Sequence, residues 1–448
     1  MHREFNATAG KIKKMRELTR TRLGSNGRII HKETSISTLG NKIQKLRNKL
    51  KLSKDIIFTK LNTPTKKSDK FSYDVAILGW WYGINYGSIL TYYGLNRTIE
   101  SMGYSVLMVH ESLGYNDSRI LWKNDIISMK FAQRKGYNYT SQMHYSELKN
   151  LNSKANIFIV GSDQIWNPKI RRVHDDLFLD FADSDKKRLS YATSFGSRNI
   201  QHFTQDFIDS HRQLLKKFDA ISVREGYAAH IAMSVFDIQA SVVLDPVFLL
   251  PMTHYQDIGE EAPQDIKTRI QRGYLAIFFL DPTPEKRETA KAVANKLGLE
   301  RIVVIPNPDR GRTLAQSIFT ENRFEIIDQD SPEIFLHIYD KADYVVTDSY
   351  HGTAFSIIFK KPFSSIYNKS RGIDRFKSLL HTLGYGETRR LNERESVRSI
   401  SENHHVNFEI NHNHAHTILS KEAKASIQWL AHALSKNCNP VTLEASAT

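Results

Sequence analysis

The sequence predicts an α/β fold with two Rossmann-like halves, and three observations carry that expectation. Short β-branched apolar runs recur along the chain, each followed by a Gly-bearing or polar turn and then a stretch of helical period. At 448 residues the chain exceeds what one hydrophobic core usually serves. The stretch Val345-Val346-Thr347-Asp348-Ser349-Tyr350-His351-Gly352-Thr353-Ala354-Phe355 reads as a buried strand, a tight polar turn and a new helix. In open parallel sheets such turns lie where ligands bind.

Composition narrows the class. Hydrophobic content of 40% and charged content of 25% suit a globular protein. No run of about 18 apolar residues occurs, so no membrane-spanning helix is expected. The single cysteine, Cys438, supplies neither a disulfide framework nor a cysteine-based metal site. Together with an N-terminus lacking an apolar signal core, this favours the cytoplasm. The net charge of +15 is concentrated in residues 1–70, which hold 19 Lys/Arg against 5 Asp/Glu, while the remainder holds 44 against 43. Nucleic-acid binding by the folded body is therefore not indicated.

Residues 1–70 are read as a basic, partly helical arm. Ile36, Leu39, Ile43, Leu46 and Leu50 form one stripe of an amphipathic helix, with lysines and Arg47 over the rest of its surface through Lys54. Residues 36–54 are thus a candidate for contact with an anionic membrane surface, against the alternatives of docking on the protein's own body or a short coiled coil. The first half, 71–250, opens with the strand Asp74–Gly79. A loop, a helix from about Tyr86 stopped by Gly103, and the strand Tyr104–Val109 complete a βαβ unit. Its loop lacks the spacing of a dinucleotide fingerprint. Further strands are expected at Asn156–Gly161, Arg188–Thr193 and Ala220–Arg224, with a helix at Phe203–Phe218, and the apolar stretch Val242–Leu250 closes this half.

Residues 251–271 read as the crossing between the halves. The second half, 272–385, has strands at Tyr274–Leu280, Arg301–Pro306, Phe324–Asp328 and Lys361–Tyr367, and helices at Glu285–Leu297 and Pro332–Lys341. Residues 307–323 and 386–415 are expected to be loop. Lys421–Leu434 is expected to be a helix within a polar tail, 386–448. His404, His405, His412, His414 and His416 fall in that tail without a carboxylate-bearing scaffold, so a solvated tail is preferred to a metal site.

Several polar clusters fall at strand ends. Asp163, Gln164 and Trp166 suit sugar contact, the indole packing on a ring face and the polar groups binding hydroxyls. A capped turn with a packing Trp fits them equally. Arg224 is placed to clamp a phosphate or carboxylate, with Glu225 as its partner if it serves only an ion pair. Gly352 permits close backbone approach, and a new helix's free N–H groups favour an anion.

Six of these pieces stand in a familiar order over about residues 74–367. They are Asn85-Tyr86-Gly87-Ser88-Ile89-Leu90, Gly161 to Pro168, Tyr191 to Gly196, Ser222-Val223-Arg224-Glu225, Leu244-Asp245-Pro246 and Thr347 to Thr353. The chain resembles the polysaccharide pyruvyl transferase family. That resemblance implies a GT-B-like arrangement of two Rossmann-like domains facing a cleft. It also implies transfer of pyruvate from phosphoenolpyruvate to two hydroxyls of a sugar in a cell-surface glycan precursor, forming a cyclic ketal and releasing phosphate.

On this reading His351 is the acid/base residue, histidine ordinarily titrating near neutrality. Arg224 binds the donor's anionic groups. Ser349 and the N–H groups of Gly352 and Thr353 lie at the phosphate. Asn85, Tyr86, Gly87, Asp163, Gln164 and Trp166 line the acceptor side or the cleft. No metal and no cofactor beyond the donor substrate are required. The acceptor is a glycan or lipid-linked sugar, which places the protein at the inner face of the plasma membrane.

One departure stands out. Better-characterised members carry Arg-x-His where this chain has Ser349-Tyr350-His351, leaving Arg310, Arg312, Arg371 and Arg375 as arginines to supply a cation from another loop. The alternatives are a nucleotide-sugar glycosyltransferase on the same architecture and a non-catalytic relative in a glycan-assembly complex.

Overall fold

The computed structural model describes residues 71–110, 112, 125–169, 175–368 and 371–435. The basic arm, with the helix expected over 36–54, lies outside the described residues. Two six-stranded parallel sheets, each flanked by helices, form an α/β fold of GT-B-like type.

In the first sheet β1 (Tyr73–Leu78) pairs with β2 (Val106–Val109) on one side and β3 (Ala155–Asp163) on the other. β4 (Lys187–Thr193), β5 (Ala220–Val223) and β6 (Ser241–Val242) extend it, giving the order β2-β1-β3-β4-β5-β6. The second sheet holds β7 (Tyr274–Phe278), β8 (Arg301–Ile305), β9 (Phe324–Ile326), β10 (Tyr344–Thr347), β11 (Phe363–Ile366) and β12 (Arg390–Leu391), in the order β12-β11-β10-β7-β8-β9. The strand order therefore reverses between β1 and β3 and again between β7 and β10. Those two points are where doubly wound sheets open a crevice for ligands.

The first half carries α1 (Tyr86–Ser101), α2 (Ile127–Arg134), α3 (Gln205–Leu215) and α4 (Gly226–Phe236). Asn85 starts α1 by accepting from the Ser88 N–H at 3.2 Å. α1 is buried at 13 of its 16 positions, so it has no solvent face and instead fills the space between the halves. Gly94 makes this possible, since a Cβ there would fall 2.4 Å from the Pro246 carbonyl oxygen. Residues 251–271, expected to cross between halves, fold into α5 (Met252–Gly259) and α6 (Gln264–Arg269).

The second half carries α7 (Pro284–Lys296), α8 (Arg312–Ile318), α9 (Pro332–Lys341), α10 (Tyr350–Ile358) and α11 (Ile373–Thr382). α12 (Val397–Glu402) and α13 (Asn413–Leu434) complete the described chain.

One apolar cluster runs through both halves, joining Val75, Tyr86 and Leu90 to Phe335, Phe355 and Leu380. The Tyr86 ring lies 5.4 Å from Phe335 and 5.9 Å from Phe278. Arg134 on α2 adds a bidentate pair with Glu333 on α9, at 2.9 and 3.0 Å. α13 packs back on the first half, where Ser426 accepts from the Leu244 N–H at 2.9 Å and Trp429 lies 6.1 Å from Tyr191.

Three sequence expectations need correction. Residues 307–323 contain α8, held by Ala315 and Ile318 in an apolar cluster with Leu275, Ile302 and Phe324. Residues 386–415 are not all loop, for β12 adds a sixth strand and α12 buries Ile400. α13 begins two turns earlier than expected because its first turns bury Ala415 and Leu419 and its cap buries His412, a histidine in an apolar position. The histidine-bearing tail is accordingly packed rather than solvated at His412, whose Nδ1 lies 2.6 Å from the Tyr385 hydroxyl. Among the described residues, no group of three or more His, Cys, Asp or Glu side chains is arranged to hold a metal ion. No described helix is long and apolar enough to cross a membrane.

Candidate active site

The polar seam between the halves is built from the carboxyl ends of β3, β5 and β10, with the first turns of α1, α10 and α11 closing on it. Its centre is Asp245, which follows β6 and is fully buried. Arg224 Nη1 donates to Asp245 Oδ2 at 2.7 Å. His351 Nε2 sits 3.4 Å from the same oxygen and 2.9 Å from Thr91 Oγ1, while the Thr91 hydroxyl reaches Asp245 Oδ1 at 3.3 Å. If Thr91 donates to Asp245, its oxygen accepts from His351 Nε2–H, which puts the neutral ring's proton on Nε2 and leaves Nδ1 as the free base. Burial works against the charge of Asp245. The bond and charge of His351, together with Arg224, nevertheless hold its carboxyl well below the usual range.

Arg224 is only 6% exposed. Its Nε donates to Glu225 Oε1 at 2.8 Å, its Nη2 stands 3.7 Å from Asp163 Oδ1, and its Cζ lies 4.5 Å from the centre of the Tyr350 ring. Burial opposes the guanidinium charge, but Glu225, Asp245 and Asp163 outweigh it and raise the pKa further.

Asp163 has a left-handed backbone, φ 62°, directly after Ser162 at φ 32°. Two consecutive non-glycine residues in that region are strained, which is characteristic of functional positions. The Asp163 carboxylate accepts from Ser88 Oγ at 3.2 Å and faces Arg375 Nη1 at 3.6 Å. Burial raises its pKa, but Arg224, His351 and Arg375 reverse that and lower it overall.

Gly87 is fitted to this seam. A Cβ on it would fall 2.2 Å from His351 Nδ1, so only glycine lets α1 approach the imidazole. Tyr86 beside it is a seam residue that donates to Asp330 Oδ1 at 3.2 Å, and Asn85 is the α1 cap described above. Gln164 packs at Arg375, its amide oxygen accepting from Nη1 at 3.3 Å and Nη2 at 3.1 Å in the orientation that satisfies both of its ends.

The structure overturns two site expectations. Trp166 is fully buried, stacked on Phe178 at 5.5 Å and donating to the Leu177 carbonyl at 2.9 Å, so its face is not offered to a sugar. The N–H groups of Gly352 and Thr353 are not free for phosphate either. Gly352 donates to the Ser349 hydroxyl at 3.2 Å and Thr353 to the Ser349 carbonyl at 2.9 Å, because Ser349 caps α10. Gly352 faces Thr347, whose Oγ1 a Cβ would meet at 2.3 Å.

The four arginines considered in place of an arginine at Ser349 separate cleanly. Arg310 and Arg371 bind Asp281, at 2.9 Å and at 2.7 and 2.9 Å. Arg312 binds Asp330 at 3.1 Å. Arg375 alone of the four reaches the Asp163 cluster. Thr91 and Asp245 were not singled out from sequence as site residues. The signals were present in part: Ser88 and Thr91 share one face of α1, and Asp245-Pro246 ends the apolar run Val242-Val243-Leu244.

A sequence model described as polysaccharide pyruvyl transferase matches residues 85–370. No curated protein matches the chain. Among solved structures, UDP-GlcNAc 2-epimerase from Neisseria meningitidis bound to UDP-GlcNAc is similar at a TM-score of 0.52 and 10% identity, covering 81% of this chain and 99% of that one. A glycosyltransferase from Rickettsia africae is similar at a TM-score of 0.47 and 11% identity, covering 82% of this chain and 93% of that one. At such identities the first likeness concerns the fold alone.

Proposed function

The chain belongs to the polysaccharide pyruvyl transferase family, and we propose that it transfers the three-carbon unit of phosphoenolpyruvate to two hydroxyls of a glycan sugar. The observation that carries the reading is the meeting of Arg224 from one half with His351 from the other on a single carboxylate, Asp245. The cation and the proton carrier such chemistry needs are thereby fixed relative to one another.

In this mechanism His351 gives a proton to the donor's methylene carbon, and positive charge develops at C2. A sugar hydroxyl attacks C2 and returns its proton to the ring. The second hydroxyl displaces phosphate, which leaves carrying the second hydroxyl proton. Two hydroxyl hydrogens become one methyl hydrogen and one phosphate hydrogen, so the balance closes without an oxidant. Asp245 orients His351 through Nε2, as the carboxylate of such a pair does. Asp163, with 14% of its side chain exposed, is the most accessible carboxylate of the cluster and is assigned to hold the acceptor hydroxyl.

Arg224 and His351 are each 6% exposed, so substrates enter only as the seam parts. The acceptor is a glycan or a lipid-linked sugar.

Titration of the purified protein with phosphoenolpyruvate is the test. Saturable binding is expected, weakened at least about tenfold by Arg224→Ala, given the usual worth of a charged hydrogen bond. His351→Ala is expected to bind the donor but release no phosphate in the presence of acceptor. Wild-type protein that binds a nucleotide sugar and not phosphoenolpyruvate would replace this reading with the glycosyltransferase one.

A further inference from the structure

Three buried side-chain atoms at the seam have no hydrogen-bond partner: Arg224 Nη2, Glu225 Oε2 and Arg375 Nε. They belong to side chains already in contact with one another. Arg224 Nε holds the other oxygen of Glu225 at 2.8 Å, and the two guanidiniums share Asp163 Oδ1 at 3.7 and 3.6 Å. Both also lie against the Tyr350 ring, with Cζ atoms 4.5 and 5.5 Å from its centre. Buried donors of charged groups are rarely left unpaired, because each lost bond costs the full desolvation of the group. Here two such donors and one acceptor occur within a single cluster.

Arg375 is 6% exposed and comes from the first turn of α11, outside the stretch matched by the family. Gly372, just before that helix, has φ 92°, and a Cβ on it would fall 2.6 Å from the Gly196 carbonyl oxygen. The start of α11 is thus pressed onto the first half. The remaining contacts of Arg375 are Gln164 and the Arg371 carbonyl. Burial, and then the nearby Arg224, lower its pKa, and Asp163 and Glu225 only partly offset them. A cation held beside a second cation, with a donor unpaired, is poor as a structural ion pair and well suited to an anion.

We propose that Arg375 is the second cation of the substrate site, gripping with Arg224 the carboxylate or phosphate oxygens of one small multiply charged anion. Resting on the reading above, that anion is phosphoenolpyruvate. The oxygen it presents takes the place of Asp163 Oδ1. Both guanidinium contacts to that atom are longer than a hydrogen bond and are therefore the weakest of the cluster. Glu225 Oε2, an acceptor, suits a hydroxyl proton of the acceptor sugar or of a protonated phosphate. Two guanidiniums are matched to such oxygens by their planar forks.

The experiment is thermal-shift and calorimetric titration of the full chain with phosphoenolpyruvate and, separately, with inorganic phosphate. The proteins compared are wild type, Arg375→Gln, Arg375→Lys and Asp163→Asn. Expected are an affinity at least about tenfold weaker in Arg375→Gln, partial recovery in Arg375→Lys, and tighter binding in Asp163→Asn, where the competing charge is gone. The melting temperature of Arg375→Gln without ligand is expected to stay near wild type.

Wild-type affinity retained in a folded Arg375→Gln would overturn the inference and leave the pyruvyl reading standing. A wild type that responds to phosphate through Arg375 but not to phosphoenolpyruvate would uphold the anion site and overturn the donor assignment. A wild type that responds to neither would overturn both.

Discussion

At the scale of single residues, Gly87 is the sharpest case of sequence serving geometry. Its hydrogen stands where any other side chain would strike the His351 ring, 2.2 Å from Nδ1. An imidazole cannot swing aside as the end of a lysine can, because Thr91 and Asp245 hold its other nitrogen. Gly87→Ala is therefore expected to displace His351, costing about 1–3 kcal/mol of stability as an overpacked site does and more than tenfold in phosphate release. Turnover at the wild-type rate in that variant would remove His351 from the reaction. Trp166 shows the reverse lesson. Its motif suggested sugar contact, yet its indole N–H and both ring faces are spent on the core around Phe178. An indole after a strand satisfies either role, and only burial tells them apart.

Among the elements, α13 combines a misplaced boundary with a titratable core contact. His412 at its start is 7% exposed, bonded to Tyr385 and 6.1 Å, centroid to centroid, from the His416 ring. Burial, and then the neighbouring His416, push its pKa down to about 4 from an ordinary 6.5. The unfolded chain therefore binds a proton at this site through a range where the fold does not. Stability is expected to fall as pH drops from about 6.5 towards 4, with a slope of up to one proton. His412→Asn is expected to flatten the decline in melting temperature between pH 7 and pH 5, and an unchanged slope would assign the decline to other groups. The same element shows why helical period alone set its start too late. Ile427, Leu430 and Leu434 mark its later turns, whereas its start is marked by a buried histidine cap, His412, and a buried alanine, Ala415.

For the molecule as a whole, the decisive feature is an apolar cluster that does not stop at the boundary between the sheets. Tyr86, carried on α1 of the first half, packs among Phe278 and Phe335 of the second, and Arg134 pairs with Glu333 across the same seam. Elements that share one core unfold together. Calorimetry is expected to show a single transition for the body of the protein, and Tyr86→Ala is expected to lower it as one peak, by about 3–5 kcal/mol. Two resolved transitions in the wild type would show that the halves are held more loosely than their packing implies. The seam that joins them also buries Arg224 and His351.

The sequence alone located the longer strands of both sheets, because apolar runs of four to nine residues and the capping Asn, Ser and Thr act locally, whereas the two-residue β6 and β12 leave no such run. It also carried the family, through six short segments in order. It marked Arg224 and His351, since a charged or titratable side chain at a strand's carboxyl end is visible in one dimension. What it left open depends on contacts between residues far apart in the chain. Asp245 lies 106 positions from His351, and Thr91 lies 260 from it, yet the three meet within hydrogen-bonding reach or close to it. Tertiary structure brought Arg375 alone of the four arginines to Asp163, and paired the other three with Asp281 and Asp330. It also consumed the Gly352 and Thr353 donors within the Ser349 cap, and it buried Trp166. The physical reason is the same in each case: a polar group's role is set by which partner reaches it first, and that is decided by how the sheets and helices pack.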